Sequence, residues 1–226
     1  MNRRGVLAAA EAVFDAERAL RRAADTVDEL GDVAASSLRV LDEAATDTFY
    51  AHQEERRDFY LESAGEHLAR LRNRSGVMNE LGEDLTRHLT TASNAIEQAG
   101  FEISRSTDPT THDNEIQALK TQIDVLGEVV SLARPVAEQI TRHAQHAAES
   151  AGATDALMLL DSRVHDTGKE MTRADEGVSV MRSVIEHAQS RAHTSAALAG
   201  SLTYAASHPT PQDAETPRPG QSGIAI

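Results

Sequence analysis

The stretch FYAHQEERRDFY, Phe49 to Tyr60, contains four of the chain's seven aromatic residues, and its reading decides the fold. On either side of it the apolar residues recur every seven positions, with the two repeats out of phase by one. Read as helix, the stretch is a register shift inside a long rod. Read as a reversal, it closes one helix and opens another. Its Gln, Glu and Arg residues are good helix formers, and it has neither Gly nor Pro. The expectation is therefore a continuous helix whose apolar seam is interrupted by polar side chains.

Working outward, the seam before the stretch runs Val6, Val13, Leu20, Val27, Ala34 and Leu41, with Ala9, Ala16, Ala23, Leu30, Ser37 and Ala44 three residues later. So strict a heptad is a coiled-coil seam, narrower than the stripe of a globular helix. Gly31 and Ser36-Ser37 weaken the helix, at about 1 kcal/mol for a glycine relative to alanine, but the register passes through them. After the stretch the seam resumes as Leu61, Leu68, Ser75, Gly82, Leu89, Ile96 and Ile103, beside Ala64, Leu71, Met78, Leu85, Ala92 and Ala99. NRSG, Asn73 to Gly76, reads as a stop signal, yet the unbroken phase keeps it helical.

SRSTDPTTHDN, Ser104 to Asn114, is the strongest breaker, combining Pro109 with turn-forming and capping residues. A third seam follows: Ile116, Ile123, Val130, Ala137 and Ala144, with Leu119, Leu126, Ala133, Ile140 and Ala147. Pro135 lies off it. At SAGATD, Ser150 to Asp155, the phase changes again, and the last seam runs Leu157, Val164, Met171, Val178, Ile185, Ala192 and Ala199, with Leu160, Thr167, Ala174, Met181, Ala188, Ser195 and Leu202. Both phase changes, Thr48 to Leu61 and Ala144 to Leu157, are jumps of 13 residues in place of 14.

The fold class is all-α, and the first expectation is an elongated antiparallel helical hairpin or coiled coil. Residues 1–207 form a single helical domain with segments about 3–104 and 113–207 around a turn at 105–112; residues 208–226 form a disordered tail rich in Pro, Gly and Ser. Each arm would be on the order of 150 Å long. Pairing about the turn sets Phe49–Tyr60 opposite about Leu157–Gly168. The alternative is a bundle of long helices. Three helices result if the chain bends only at SAGATD, with Gly152 ending one helix and Thr154 capping the next; four equal helices require a break in FYAHQEERRDFY as well.

Composition narrows the function. Hydrophobic residues make up 40% of the chain and aromatics 3%, with no Trp and much Ala, which suits thin helical packing better than a thick core. The net charge of −14 is spread over both halves and opposes binding to nucleic acid or anionic membrane. With no Cys, disulfides, thiolate metal sites and Cys nucleophiles are excluded. Arg3-Arg4 before Val6-Leu7 is twin-arginine-like, but Glu11 ends the apolar run before it reaches an export signal's length. No apolar stretch approaches the ~18 residues of a membrane span. A soluble cytoplasmic protein is expected, with no enzyme activity and no cofactor, because no nucleophile elbow, P-loop or dinucleotide fingerprint is present.

Phe49, His52, Arg56 and Phe59 share one helical face, and the hairpin brings Asp161 near Arg56 and His165 near His52. A register-fixing ion pair is the first reading of these polar residues. A metal or proton-linked site of His52, Glu55, Asp161 and His165 is a second, and a partner-contact patch of Phe49, Tyr50, Arg56, Phe59 and Tyr60 a third; Ile226 ends a short apolar docking candidate. His143, His146 and Glu149 have ligand-like spacing but read as a solvated face, since Ala144 and Ala147 own the seam. Glu66-His67 and Glu186-His187 point about 100° apart and form no acid–base unit.

NAIEQAG, Asn94 to Gly100, resembles part of the hairpin tip of chemoreceptor signalling domains, without the glycine-rich remainder. Tyr50 to Glu54 is similar to the Y-x-x-x-E pattern of type VII secretion substrates, which are helical hairpins, but the W-x-G turn is missing. Neither resemblance is taken as membership. The functional expectation is a coiled-coil scaffold or adaptor acting through protein–protein contacts, itself a homo-dimer that completes the thin seams. Its alternatives are a helical-bundle metal- or ligand-binding protein and a secreted helical-hairpin effector.

Overall fold

The computed structural model describes residues 3–53, 56–105, 113–152 and 157–208. These residues form four helices and no strand: α1 Arg3–Ala51, α2 Arg57–Ser104, α3 Asp113–Ser150 and α4 Leu157–Ser207. Each of α1, α2 and α4 is roughly 75 Å long at ~1.5 Å per residue. Helix α1 packs on α2 and α4, and α3 packs on the same two, while the diagonal pair α2 and α4 scarcely meets. The result is an up-down-up-down four-helix bundle.

Of the arrangements that the heptads allow, the chain therefore adopts the four-helix one, and the two long arms are each folded in half. The hairpin survives as a pairing scheme: α1 lies against α4, as in the Arg182–Asp28 contact, and α2 against α3, where Gly82 meets Thr141. Folding back adds the pairs α1–α2 and α3–α4. Both reversals, after Ala51 and after Ser150, lie at one end of the bundle. The turn expected at 105–112 joins α2 to α3 at the other end; its residues 106–112 are outside the described residues, as is the tail beyond His208.

A reversal at residues 52–56 goes against local propensity. The end of α1 tightens, with His52 N–H donating to Phe49 O at 3.3 Å and Gln53 N–H to Tyr50 O at 3.0 Å. Arg56 then takes the left-handed conformation, φ 61° and ψ 30°, and its carbonyl accepts from Tyr60 N–H at the start of α2. A non-glycine residue there costs roughly 1–2 kcal/mol. Burying one Leu or Met side chain returns about 1.5–3 kcal/mol, and Leu20, Leu30, Leu68, Leu71, Met78 and Leu85 are among those essentially fully buried between α1, α2 and their neighbours. Packing outweighs the turn.

The seams read from the sequence are the core. Every seam residue named above is buried except Leu41, Leu61 and Leu157, which flank the reversals and are half-buried. Ala9, Ala16, Ala23, Ala34 and Ala44 are all 0% exposed, so it is small side chains that let α1 approach its neighbours. Polar seam residues mostly satisfy themselves along the helix: Ser37 donates to Val33 O at 2.7 Å and Thr48 to Ala44 O at 2.7 Å. Ser75 and Thr167 are buried hydroxyls without a hydrogen-bond partner, for which we have no physical account. Helices α1 and α2 run unbroken through Ser36-Ser37 and NRSG, and α3 through Pro135.

Close approach is most demanding at Gly82. A Cβ there would overlap Thr141 Oγ1 and lie 3.3 Å from Thr141 Cβ and 3.5 Å from its Cα. Helices α2 and α3 come close at this point, with Gly82 against Thr141.

Candidate functional site

The fold-back carries FYAHQEERRDFY to the end of the bundle, where it becomes surface. Phe49 and Tyr50 come from the last turn of α1, Phe59 and Tyr60 from the first turn of α2, and the left-handed Arg56 sets one pair beside the other. Ring centroids follow in series: Phe49 to Tyr50 at 5.6 Å, Tyr50 to Tyr60 at 5.3 Å and Tyr60 to Phe59 at 5.3 Å. Edge-on and tilted pairs at this spacing attract one another. Yet Phe49 and Phe59 remain 62% and 63% exposed and Tyr50 42%. Met158 and Leu159, on the first turn of α4 at the same end, are 85% and 54% exposed. This end of the bundle thus presents a row of rings and two large aliphatic side chains to solvent, while Phe14, Phe101 and Tyr204 are exposed toward the opposite end.

Beside the rings, a groove of about 510 Å³ runs between α1 and α4. Ala45, Thr48 and Gly168 are too small to close it, Leu41 and Val164 wall it, and Phe49 borders it. His52, Asp161, His165 and Lys169 supply its polar groups. His52 Nε2 lies 2.8 Å from Asp161 Oδ2 and ties the end of α1 to α4. His165 lines the same groove as His52, as the hairpin pairing expects. Arg56, by contrast, is not on the inner face of a continuous helix: it belongs to the turn, and the partner of Asp161 is His52, one helical turn earlier. Glu55 and Ile226 lie outside the described residues. Among the described residues, no group of three or more His, Asp or Glu is placed to hold a metal ion.

Two further polar clusters join helices that become neighbours only through the fold-back. In the first, buried His67 on α2 faces α1: its Nε2 is 3.3 Å from Asp47 Oδ2 and its Nδ1 is 3.4 Å from Glu43 Oε2, the latter without hydrogen-bond geometry. Ser63 Oγ donates to Asp47 at 2.6 Å. Because the hydroxyl is spent on the carboxylate and not on the imidazole, this is not the order of a nucleophilic triad. In the second, His143 on α3 lies 2.6 Å from Glu170 on α4, His146 lies 3.8 Å from the same oxygen, and Arg173 Nη1 donates to the other at 2.9 Å. The Glu170 carboxyl is held below its ordinary value of 4.5, first by the hydrogen bond from His143 and further by the charges of His143, Arg173 and His146, against the opposing effect of burial.

His143 is therefore turned toward α4 and half-buried, whereas His146 and Glu149 stay exposed, as a solvated face expects. The hairpin alone conceals both clusters, since it sets α3 against α2 and leaves α1 and α2 collinear. What the arrangements do chemically is tie helices: each carboxylate is engaged by His, Ser or Arg.

Set beside known families, curated proteins and solved structures, the chain matches none of them.

Proposed function

We propose that this chain is a non-enzymatic scaffold or adaptor of the cytoplasm that acts by protein–protein contact, with the aromatic end of the bundle as its contact surface. The observation behind this reading is the row Phe49, Tyr50, Tyr60 and Phe59, more than half of the chain's aromatic residues, gathered at one place with Phe49, Tyr50 and Phe59 left in solvent and Tyr60 half-buried. Core packing does not call for them, because the seams close on Ala, Leu, Ile and Met. Aromatic residues, Met and Arg are the types enriched where proteins bury surface against one another, and all three occur here. A photo-crosslinking residue at Phe59 should form an adduct with a protein partner in cells, whereas the same residue at exposed Leu132, on α3, should not. Equal labelling at both positions, or none, counts against the reading.

A second reading, a ligand-binding bundle, has the groove in its favour, since ~510 Å³ lies within the roughly 300–1,000 Å³ range of small-molecule sites. Mass spectrometry and metal analysis of the purified protein and of His52→Ala test it. A bound species lost in the variant supports it, and none in either removes it.

A further inference from the structure

We infer that the partner at the aromatic end is a second copy of this chain, held in an isologous two-fold contact; the inference rests on the contact reading above. The exposed parts of Phe49, Tyr50, Phe59, Met158 and Leu159 together equal about three whole large side chains, on the order of 600 Å² of apolar surface per copy. The largest apolar patch on a typical monomer is ~300–600 Å², so this end is at the limit of what a lone chain tolerates. A stable interface covers about 800 Å² per partner. The patch with its polar rim reaches that size, and an isologous contact hides both copies' patches at once.

The rim favours self-recognition over a partner of one charge. Arg56, Arg57, Asp58 and Glu62 stand exposed around the rings and exposed Asp161 lies in the groove beside them, so the described rim carries both signs. In a two-fold contact, residue i of one copy meets j of the other and j meets i, so a self-binding patch must contain both signs. Here each copy's arginine pair has the other copy's Asp58 and Glu62 to meet. A surface built for an acidic or a basic partner would be of one sign instead.

The turn supplies an independent indication. Arg56 is the only non-glycine residue with positive φ among those described. Glycine or asparagine would hold the same turn with less strain. Residues kept in such conformations cluster where a side chain has a role beyond the fold. The Arg56 side chain is exposed at the rim, where an arginine of the partner's charge-complementary contact belongs.

Sedimentation velocity on the full chain tests the inference between about 1 and 200 µM, the range in which an interface of this size associates at its weaker end. The expected result is a reversible monomer–dimer equilibrium, with the double variant Phe49→Asp/Phe59→Asp weakening dimerisation at least tenfold and a Leu132→Asp/Val180→Asp control leaving it unchanged. Far-UV circular dichroism of each variant reports folding; if the aspartate pair fails to fold, Phe49→Ser/Phe59→Ser replaces it. A monomer at 200 µM overturns the inference, and so does a dimer that persists in the folded tip variants. The contact reading is judged separately: a monomeric chain that still forms the Phe59-specific adduct retains that reading with a different partner, and one that forms none loses both.

Discussion

Replacing Gly82 by alanine sets two effects of known sign against each other. In a helix interior, glycine to alanine gains about 1 kcal/mol. Here the new methyl would overlap Thr141 Oγ1 and sit 3.3 Å from Thr141 Cβ. Thr141 cannot simply rotate away, because its hydroxyl donates to Ala137 O at 3.0 Å, and losing that bond forfeits about 1 kcal/mol. The methyl also comes within 3.5 Å of Thr141 Cα, so backbone lies behind the side chain. Overpacking of this kind costs about 1–3 kcal/mol, and the net expectation is a loss of about 1–2 kcal/mol. For a chain of this size that lowers Tm by roughly 3–6 °C.

In a Thr141→Ala background the overlapping oxygen is gone, and Gly82→Ala should then be neutral or raise Tm by up to ~4 °C. Gly76 on the same helix is the control: nothing lies within 4 Å of its Cβ position, so Gly76→Ala should raise Tm by about 2–4 °C. Thermal melts of the four single and double variants at one protein concentration decide the matter. If Gly82→Ala behaves like Gly76→Ala, α2 and α3 do not approach as described.

Two more outcomes follow from the same physics. Because the Glu170 carboxyl is depressed in the folded state, its contribution to stability is complete above about pH 4.5 and is lost as pH falls below that value. The Tm advantage of the wild type over Glu170→Gln should therefore shrink between pH 5 and pH 3, and a gap that stays constant contradicts the His143–Glu170 contact. At the turn, Arg56→Gly should be neutral or stabilising by up to ~1 kcal/mol in chemical denaturation, whereas Arg56→Val should cost more than ~1 kcal/mol, because φ near 61° strains a β-branched residue. Equal effects of the two would mean that the left-handed turn is absent.

The seams were open to direct reading because a heptad records which side of a helix is buried. Thus Ser37, Ser75, Gly82 and Thr167 are buried at seam positions despite their types. The pairing of α1 with α4 was also legible, and it brought His52 within one turn of its partner Asp161. What the heptads do not record is how many helices share a seam. A one-residue slip inside a rod and a reversal between two independent registers leave the same 13-residue jump, and FYAHQEERRDFY offers no Gly or Pro to separate them. The energy that bends the chain comes from the buried Leu, Met and Ala of four helices, while the strain sits on Arg56. For the same reason the aromatic residues read as an interruption within a rod when they are in fact the end of a bundle, and the Asp47–His67 and His143–Glu170 contacts had no visible partner.

The fold-back itself is tested most directly by a distance. The chain has no Cys, so a pair of cysteines at exposed Arg18 on α1 and Gln98 on α2 can be spin-labelled without background and diluted with unlabelled protein to suppress contacts between copies. In the four-helix bundle these positions lie on adjacent antiparallel helices at a similar height, and a distance of roughly 10–25 Å is expected. In a continuous rod the 80-residue offset would separate them by about 120 Å, beyond the reach of the measurement, and the absence of a short distance would contradict the account.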